Sequence, residues 1–223
     1  MGIQVVGAGG VVAEVGEFAR KQLHMTAMPK AGNWYRYSGF TGTIGAALGA
    51  SSEVLQFRFL ASTKTLALVY KIEFEGMGIV AVATAAGPLG FEMVPARAWT
   101  AAGSGGTRIV TTGDNLQMET SLVVSQVNDI GIATTGALTP GTKTLDANAQ
   151  GGVLGGIGTG AVTIYGPTGV VPPGHMLNAT EGGDMPLVLA NQEGFVVRTT
   201  HVGPASLTYV ARFSVAWCEV TAF

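Results

Sequence analysis

The sequence predicts an all-β protein, a jelly-roll or β-sandwich domain with an extended N-terminal arm. Apolar and polar residues alternate at the two-residue period of β-strands in several segments. Pairs such as Pro140-Gly141 and Gly166-Pro167 separate these segments as turns do. Glycine occupies 34 of 223 positions while 47% of the residues are apolar, so the chain can bury a core and still make many tight turns.

The clearest predicted strand covers residues 206–220 near the C-terminus. Its polar residues, among them Arg212, Ser214 and Cys218, alternate with an apolar set. A long strand with one buried face is therefore expected. The apolar set consists of Leu207, Tyr209, Ala211, Phe213, Val215 and Trp217.

A second pair of strands is predicted at residues 55–59 and 68–74. Both segments alternate, and the link at residues 61–65 is short and polar, so they are expected to be neighbouring antiparallel strands. About ten short strands of this kind favour a sandwich or jelly roll. Further strands are predicted at residues 79–83, 91–99, 107–112, 130–135, 162–165, 186–190 and 195–200.

Two segments have a different character. Residues 1–49 are predicted to form an N-terminal arm, extended or with a short helix at residues 11–28, and residues 50–223 to form the domain. The helix prediction depends on charged residues spaced three and four apart. Residues 149–159 are rich in glycine and have little side-chain volume for a core strand, so they are expected to form a surface loop.

Charge excludes one class of function and favours another. The chain has 12 Lys and Arg against 14 Asp and Glu, a net charge of −2, and no basic cluster, which argues against direct nucleic-acid binding. Charged residues make up 12% of the chain, about half the usual share, and this favours a homo-oligomer whose subunits cover one another. Every apolar run ends well before 18 residues, so no membrane helix is expected, and the first ten residues do not resemble a secretory signal.

The motifs that suggest chemistry are incomplete. The Gly-rich segment at residues 7–12 has Val12 where a dinucleotide site needs its third glycine, and Lys143 does not directly follow a phosphate-loop glycine. Cys218 is the sole cysteine, so it is expected to be a buried or inter-strand thiol. No catalytic residues, cofactor or metal site are predicted, and the protein is expected not to be an enzyme. The three histidines are isolated from one another: His24, His175 and His201.

Two segments carry a resemblance to a known group of proteins. Residues 128–148, which begin Asn-Asp-Ile-Gly-Ile-Ala, and residues 186–198, which begin Pro-Leu-Val-Leu-Ala-Asn, resemble structural proteins of tailed bacteriophages. The resemblance extends over residues 10–220 and includes the strand that ends at residues 216–220. It implies a location in the virion, with synthesis in the cytoplasm of the host bacterium.

Within this group the chain resembles capsid decoration, or cement, proteins. The resemblance implies a subunit, favoured as a trimer, that binds outside the shell and clamps neighbouring major capsid proteins. Trp34, Tyr35, Tyr37 and Phe40 are the candidate contact residues, because aromatic side chains are favoured at interface centres. The same residues could instead cover the domain's own core.

Other roles stay open. A tail or baseplate component would have tail proteins as partners and the same composition. A host-glycan-binding module would need exposed aromatic rings, whereas the aromatic residues of the strands fall mainly on inward positions. A glycan hydrolase would need a pair of carboxylates brought together by the fold. A major shell-forming protein would be expected to have a long helix.

Overall fold

The computed structural model describes residues 3–6, 12–15, 33–46, 48–61, 64–109, 127–159, 171–179 and 185–221. The strand predicted at residues 162–165 lies outside this part of the chain. The described residues form fourteen strands: β1 Ile3–Val6, β2 Val12–Val15, β3 Asn33–Phe40, β4 Glu53–Phe59, β5 Leu66–Ala81, β6 Gly87–Ala101, β7 Thr107–Ile109, β8 Val127–Ile132, β9 Thr142–Leu145, β10 Gly151–Ile157, β11 Gly174–Asn178, β12 Leu187–Leu189, β13 Glu193–Thr199 and β14 Thr208–Val220.

The strands form two large antiparallel sheets and a separate hairpin. The seven-stranded sheet has the order β10-β6-β13-β4-β8-β7, with β9 also paired to β6. The five-stranded sheet has the order β11-β5-β14-β3, with β12 also paired to β5. Strands β1 and β2 pair with each other. The all-β prediction is confirmed, and the two sheets pack as a sandwich, while the jelly-roll form of the prediction stays a prediction.

Aromatic side chains from both sheets meet in one core. Trp217 of β14 stacks on Tyr35 of its own sheet, with ring centroids 5.5 Å apart, and meets Phe57 of the opposite sheet edge to face at 5.1 Å. Phe213 meets Phe91 across the sheets at 5.4 Å. Such pairs contribute about 0.5–1.5 kcal/mol each beyond the area they bury. The whole apolar face predicted for the C-terminal strand is buried in this core.

Strands β4 and β5 are not neighbours, so the hairpin predicted for them is wrong. Strand β4 pairs with β13 and β8, whereas β5 pairs with β14, and the link between them crosses from one sheet to the other. The apolar faces of both strands point into the same core from opposite sides. A bulge in β5 also moves Tyr70 out of the predicted face: Ala216 pairs with Lys71 and Trp217 with Val69, which leaves Tyr70 between them.

The surface loop predicted at residues 149–159 is wrong for most of its length. Strand β10 pairs with β6 at the edge of the seven-stranded sheet. This edge requires residues with small side chains, because a Cβ at Gly151 would overlap the carbonyl oxygen of Met176 in the other sheet. A Cβ at Gly152 would lie 2.7 Å from the carbonyl oxygen of Phe91. Glycine here lets the backbones of the two sheets approach closely.

The N-terminal residues differ from the prediction in two places. The helix predicted at residues 11–28 is wrong at Val12–Val15, which forms β2, and residues 16–28 lie outside the described part of the chain. Strand β3, within the predicted arm, pairs along its length with β14. Residues 33–46 therefore belong to the sandwich, because Tyr35 and Tyr37 fill its core. The remainder of the arm stays a prediction.

We expect Gly151→Ala to destabilise the protein by about 1–3 kcal/mol, the usual cost of forcing extra volume into a packed site. Gly156→Ala is the matched control in the same strand, since a Cβ there would meet nothing within 4 Å. Urea unfolding followed by tryptophan fluorescence measures both changes. Equal free energies of unfolding for the two variants would show that the close approach at Gly151 is not a constraint.

We expect Tyr209→Phe to leave stability unchanged or to raise it by about 1 kcal/mol. The Tyr209 hydroxyl is buried without a hydrogen-bond partner among the described residues, and burial raises its pKa well above the ordinary value. Removing an unsatisfied hydroxyl removes a desolvation cost of about 1–3 kcal/mol. Trp217→Phe is the contrast, because the Trp217 Nε1–H donates to Glu219 Oε1 at 3.1 Å, so this variant is expected to unfold at lower urea. Destabilisation by Tyr209→Phe as large as by Trp217→Phe would contradict the argument.

Candidate functional site

The four aromatic residues proposed as contacts lie on β3, where alternation separates them into two pairs. Tyr35 and Tyr37 point inward and are buried, and burial raises the pKa of Tyr37 to about 12. Trp34 and Phe40 lie on the outer face, half-buried and exposed respectively. The interpretation as cover for the domain's own core therefore holds for Tyr35 and Tyr37. Trp34 and Phe40 remain available as contact residues.

Trp34 belongs to an apolar cluster on the outer face of the five-stranded sheet, which we call the Trp34 cluster. Its ring centroid lies 4.9 Å from that of Tyr70, the residue that the β5 bulge turns outward. Cys218 is a fully buried member of the cluster, in agreement with the prediction of a buried thiol. The pKa of Tyr70 is raised, mainly by burial and to a smaller extent by the nearby Cys218. Five members are buried, and the half-buried Trp34, Leu66 and Val188 are the ones that contribute apolar surface to this face. The cluster consists of Trp34, Leu66, Leu68, Tyr70, Ala179, Val188, Cys218 and Val220.

Phe40 lies at the opposite end of β3 and is 60% exposed. The guanidinium carbon of Arg212 lies 4.9 Å from the centroid of its ring. A cation–π contact at an exposed site contributes about 0.5–1 kcal/mol, so it orients the ring without covering it. Phe40 is thus an exposed aromatic side chain held in a defined position.

On the outer face of the five-stranded sheet, ion pairs lie between the Trp34 cluster and Phe40. Glu75 accepts from Arg212 Nε at 2.6 Å and lies 3.5 Å from Arg36 Nη2, and the Ser38 hydroxyl lies 3.3 Å from its Oε1. These contacts hold four side chains from β3, β5 and β14 in one network. The two arginines share one carboxylate, so the network offsets one of the two positive charges.

A second carboxylate, Glu73, is the centre of a neighbouring network. Lys71 Nζ lies 2.9 Å from Glu73 Oε2, His175 Nδ1 lies 3.5 Å from Oε1, and Ser214 donates to Oε2 at 3.4 Å. Burial by itself would raise the pKa of Glu73, but the contacts with Lys71, His175 and Ser214 together hold it below its ordinary value. Glu73 therefore stays ionised to lower pH in the folded protein than in the unfolded chain.

A buried polar network lies on the outer face of the seven-stranded sheet. Lys143 Nζ lies 2.9 Å from Glu53 Oε2 and 4.4 Å from the centroid of the Trp99 ring, and its side chain is 2% exposed. Gln56 Nε2 donates to the same Glu53 oxygen at 2.5 Å. Burial, the largest effect, lowers the pKa of Lys143 despite the carboxylate of Glu53. Lys143 is thus committed to an internal ion pair, which explains why its incomplete phosphate-loop motif marks no phosphate site.

Arg108 extends this network to the edge of the seven-stranded sheet. It donates to Gln56 Oε1 at 2.8 Å and to Asp129 Oδ1 at 3.1 Å. Sequence reasoning missed the network. The available signal was Gln56 and Arg58 alternating with apolar residues in β4, a pattern that equally suits a solvent-facing side.

A shallow groove of about 380 Å³ lies where β10 meets β6. Polar side chains at its rim include Gln150, Glu92 and His201, whose Nδ1 lies 2.7 Å from the Thr200 hydroxyl. Phe91 is the aromatic residue in the lining, and it is fully buried. Among the described residues the groove exposes no Trp, Tyr or Phe ring on which a sugar could stack, so it does not favour the glycan-binding role.

The outer face of the five-stranded sheet is suited to binding another protein. It combines an apolar cluster, an exposed aromatic ring and ion pairs that leave little net charge. Within the described part of the chain, no group of three or more His, Cys, Asp and Glu could hold a metal ion, and no helix is long and apolar enough to cross a membrane. In comparisons with known proteins, no family model, curated protein or solved structure matches the chain.

We expect stability to fall more steeply between about pH 5 and pH 3 in the wild type than in Glu73→Gln. The pKa of Glu73 is lower in the folded state, so its contribution is present above the unfolded pKa of about 4.3 and is lost as the pH falls through the folded value. Urea unfolding at several pH values measures the difference. Lys71→Met, which removes the cation 2.9 Å from Glu73 Oε2, is expected to reduce the same pH dependence. Parallel curves for the wild type and Glu73→Gln would contradict the assignment.

Proposed function

We propose that this chain is a structural protein of a tailed-bacteriophage virion, a capsid decoration (cement) protein. It binds the outside of the head shell and clamps neighbouring major capsid proteins, and it has no enzymatic role. The observation that carries the proposal is the outer face of the five-stranded sheet, where the Trp34 cluster lies beside ion pairs that offset one another. The face combines apolar side chains with paired polar ones, and protein-binding surfaces contain both kinds of group.

The two segments that resemble phage proteins contribute mainly to the sandwich itself. Residues 128–148 include most of β8 and all of β9, and residues 186–198 include β12 and most of β13. Many of their side chains are buried, among them Phe195, Val197 and Ile130. The resemblance therefore bears on the scaffold, and the contact residues are proposed from the exposed face.

The charges of the described residues support a protein partner over a nucleic acid. Lys71, Arg97, Arg108, Arg198 and Arg212 each form an ion pair with a carboxylate. Binding to phosphates draws on cations gathered on one face and free to replace counterions. Cations already neutralised within the protein give little of that attraction.

A clamp can hold a shell with modest contacts if symmetry repeats them. A homo-oligomer, which the low charge favours and which the resemblance implies is a trimer, presents the same face several times, and each further contact then forms at high effective concentration. In this proposal Trp34 contacts the major capsid protein, while Phe40 faces a neighbouring subunit. The location is the capsid surface, after synthesis in the host cytoplasm.

We expect cryo-electron microscopy of purified virions to place the protein on the head, at junctions between shell subunits. Particles that lack it should burst at lower temperature than complete ones, because a clamp raises the cost of separating shell subunits. Density confined to the tail or baseplate, with heads of unchanged heat resistance, would overturn the proposal in favour of a tail role. Trp34→Ala should reduce occupancy on depleted heads at least about tenfold, as truncation of an interface anchor does, while Val202→Ala on an exposed loop leaves it unchanged.

A further inference from the structure

Strand β3 forms one edge of the five-stranded sheet, and its backbone groups divide by residue parity. Thr41 N–H donates to Ala211 O at 2.8 Å, so in the continuous register of this pair the odd-numbered residues of β3 bond to β14. The even-numbered residues direct their N–H and C=O groups to the other side, where no described strand pairs with them. These residues are Trp34, Arg36, Ser38 and Phe40.

This edge has few of the devices that usually prevent strands from pairing between molecules, and Arg36 is its one charged residue. Strand β3 has eight residues, contains no proline or lysine, and pairs with β14 without a bulge. The other edge strands of the two described sheets are shorter: β7 and β12 have three residues each, and β11 has five. The edge strand β10 has seven residues and packs against β11 through its glycines.

We propose that two copies of this chain pair through β3, in an antiparallel register centred on Tyr37. In this register Trp34 of each copy is opposite Phe40 of the other, and Arg36 is opposite Ser38. All four outward residues then exchange backbone hydrogen bonds with the second copy. Each exposed Phe40 gains an aromatic cross-strand partner, a kind of pair that stabilises antiparallel sheets.

Charge selects this register over its neighbours. A shift to a centre at Arg36 would place Arg36 opposite its own copy, and like charges directly opposite are unfavourable. A shift to a centre at Ser38 would leave Trp34 without a partner. In the proposed register Arg36 instead comes beside the second copy's Ser38, whose hydroxyl lies 3.3 Å from Glu75 Oε1. The half-exposed Arg36 guanidinium therefore lies opposite a neutral hydroxyl that contacts a carboxylate, and not opposite a second guanidinium.

The contact is two-fold, so the same surface serves both copies, and the homo-oligomer is then a dimer in place of the trimer that the resemblance implies. It joins two five-stranded sheets into one continuous sheet, with both Trp34 clusters on the same side. If the Trp34 cluster contacts the shell as proposed above, one dimer would present two Trp34 clusters to the shell from the same side. The pairing itself depends on β3 alone and is tested on the purified protein without any virion.

Sedimentation velocity of the purified full chain tests the pairing, with a mass twice that of the 22.7 kDa chain expected. Ser38→Pro removes an outward N–H that does not bond to β14 and should give monomers, whereas the matched Ser38→Ala keeps that N–H and should stay dimeric. Phe40→Ser, at an exposed position that does not threaten folding, should weaken the dimer at least about tenfold. Far-ultraviolet circular dichroism checks that each variant is folded.

A disulfide test shows whether the two β3 edges meet. The single variants Arg36→Cys and Ser38→Cys, which would cross-link only in registers centred on Arg36 or Ser38, separate the proposed register from its neighbours. The double variant Arg36→Cys, Ser38→Cys should form reducible covalent dimers on oxidation, since opposite residues in a hydrogen-bonded pair have Cα atoms about 5.5 Å apart, within disulfide range. Val202→Cys, exposed on a loop, is the control and should remain monomeric on denaturing gels. A monomeric or trimeric wild type, a Ser38→Pro variant of unchanged mass, or no covalent dimer from the double variant would overturn the proposal. A monomeric wild type would indicate that the edge is covered by this chain's own remaining residues or left open.

Discussion

Burial of the inner face of β14 is the constraint on which the rest of this structure depends. The strand pairs with β5 along its whole length on one side and with β3 on the other. Its side chains Phe213 and Trp217 meet the aromatic residues of the opposite sheet. Because successive side chains of a strand point to opposite faces, this burial also fixes the outer face. The alternate residues of β14 therefore lie on the outer face of the sheet, among them Arg212, Ser214 and Cys218. The Trp34 cluster and the networks of Glu73 and Glu75 form around these residues.

The sequence predicted β14 well and β5 less well for one physical reason. The register between these strands shifts at three places, and each extra residue, Tyr70, Glu75 or Val80, lies on β5. The alternation of β14 therefore runs unbroken and can be read directly, whereas that of β5 changes phase. The prediction that β4 and β5 form a hairpin was wrong because a short polar link suits a hairpin and a crossing between sheets equally. The prediction of a loop at residues 149–159 was wrong because close approach of the sheets, a long-range contact, favours the same small residues that a loop does.

The candidate site shows the same division between local and long-range information. Alternation along β3 was enough to separate Tyr35 and Tyr37 from Trp34 and Phe40 once the strand was known, but β3 had been assigned to an arm. The Trp34 cluster depends on the β5 bulge, which no local pattern marks. The buried network around Lys143 joins residues from β4, β7, β8 and β9, and its members meet only when these strands assemble. Polar residues in β4 gave no sign of whether water or another part of the chain would cover them.

Scarcity of charge has a consequence that the fold makes specific. Proteins protect their sheet edges with charges, prolines and bulges, and a chain with 12% charged residues has few charges to place there. The charges on the outer face of the five-stranded sheet pair with one another. Arg36 and Arg212 form ion pairs with Glu75, and Lys71 forms one with Glu73. What is left at β3 is a regular edge with an exposed phenylalanine. Such an edge is an aggregation hazard in a protein that works alone, whereas a closed two-fold pairing satisfies it completely. Composition and edge geometry thus support the same conclusion, that this surface works in association with another copy.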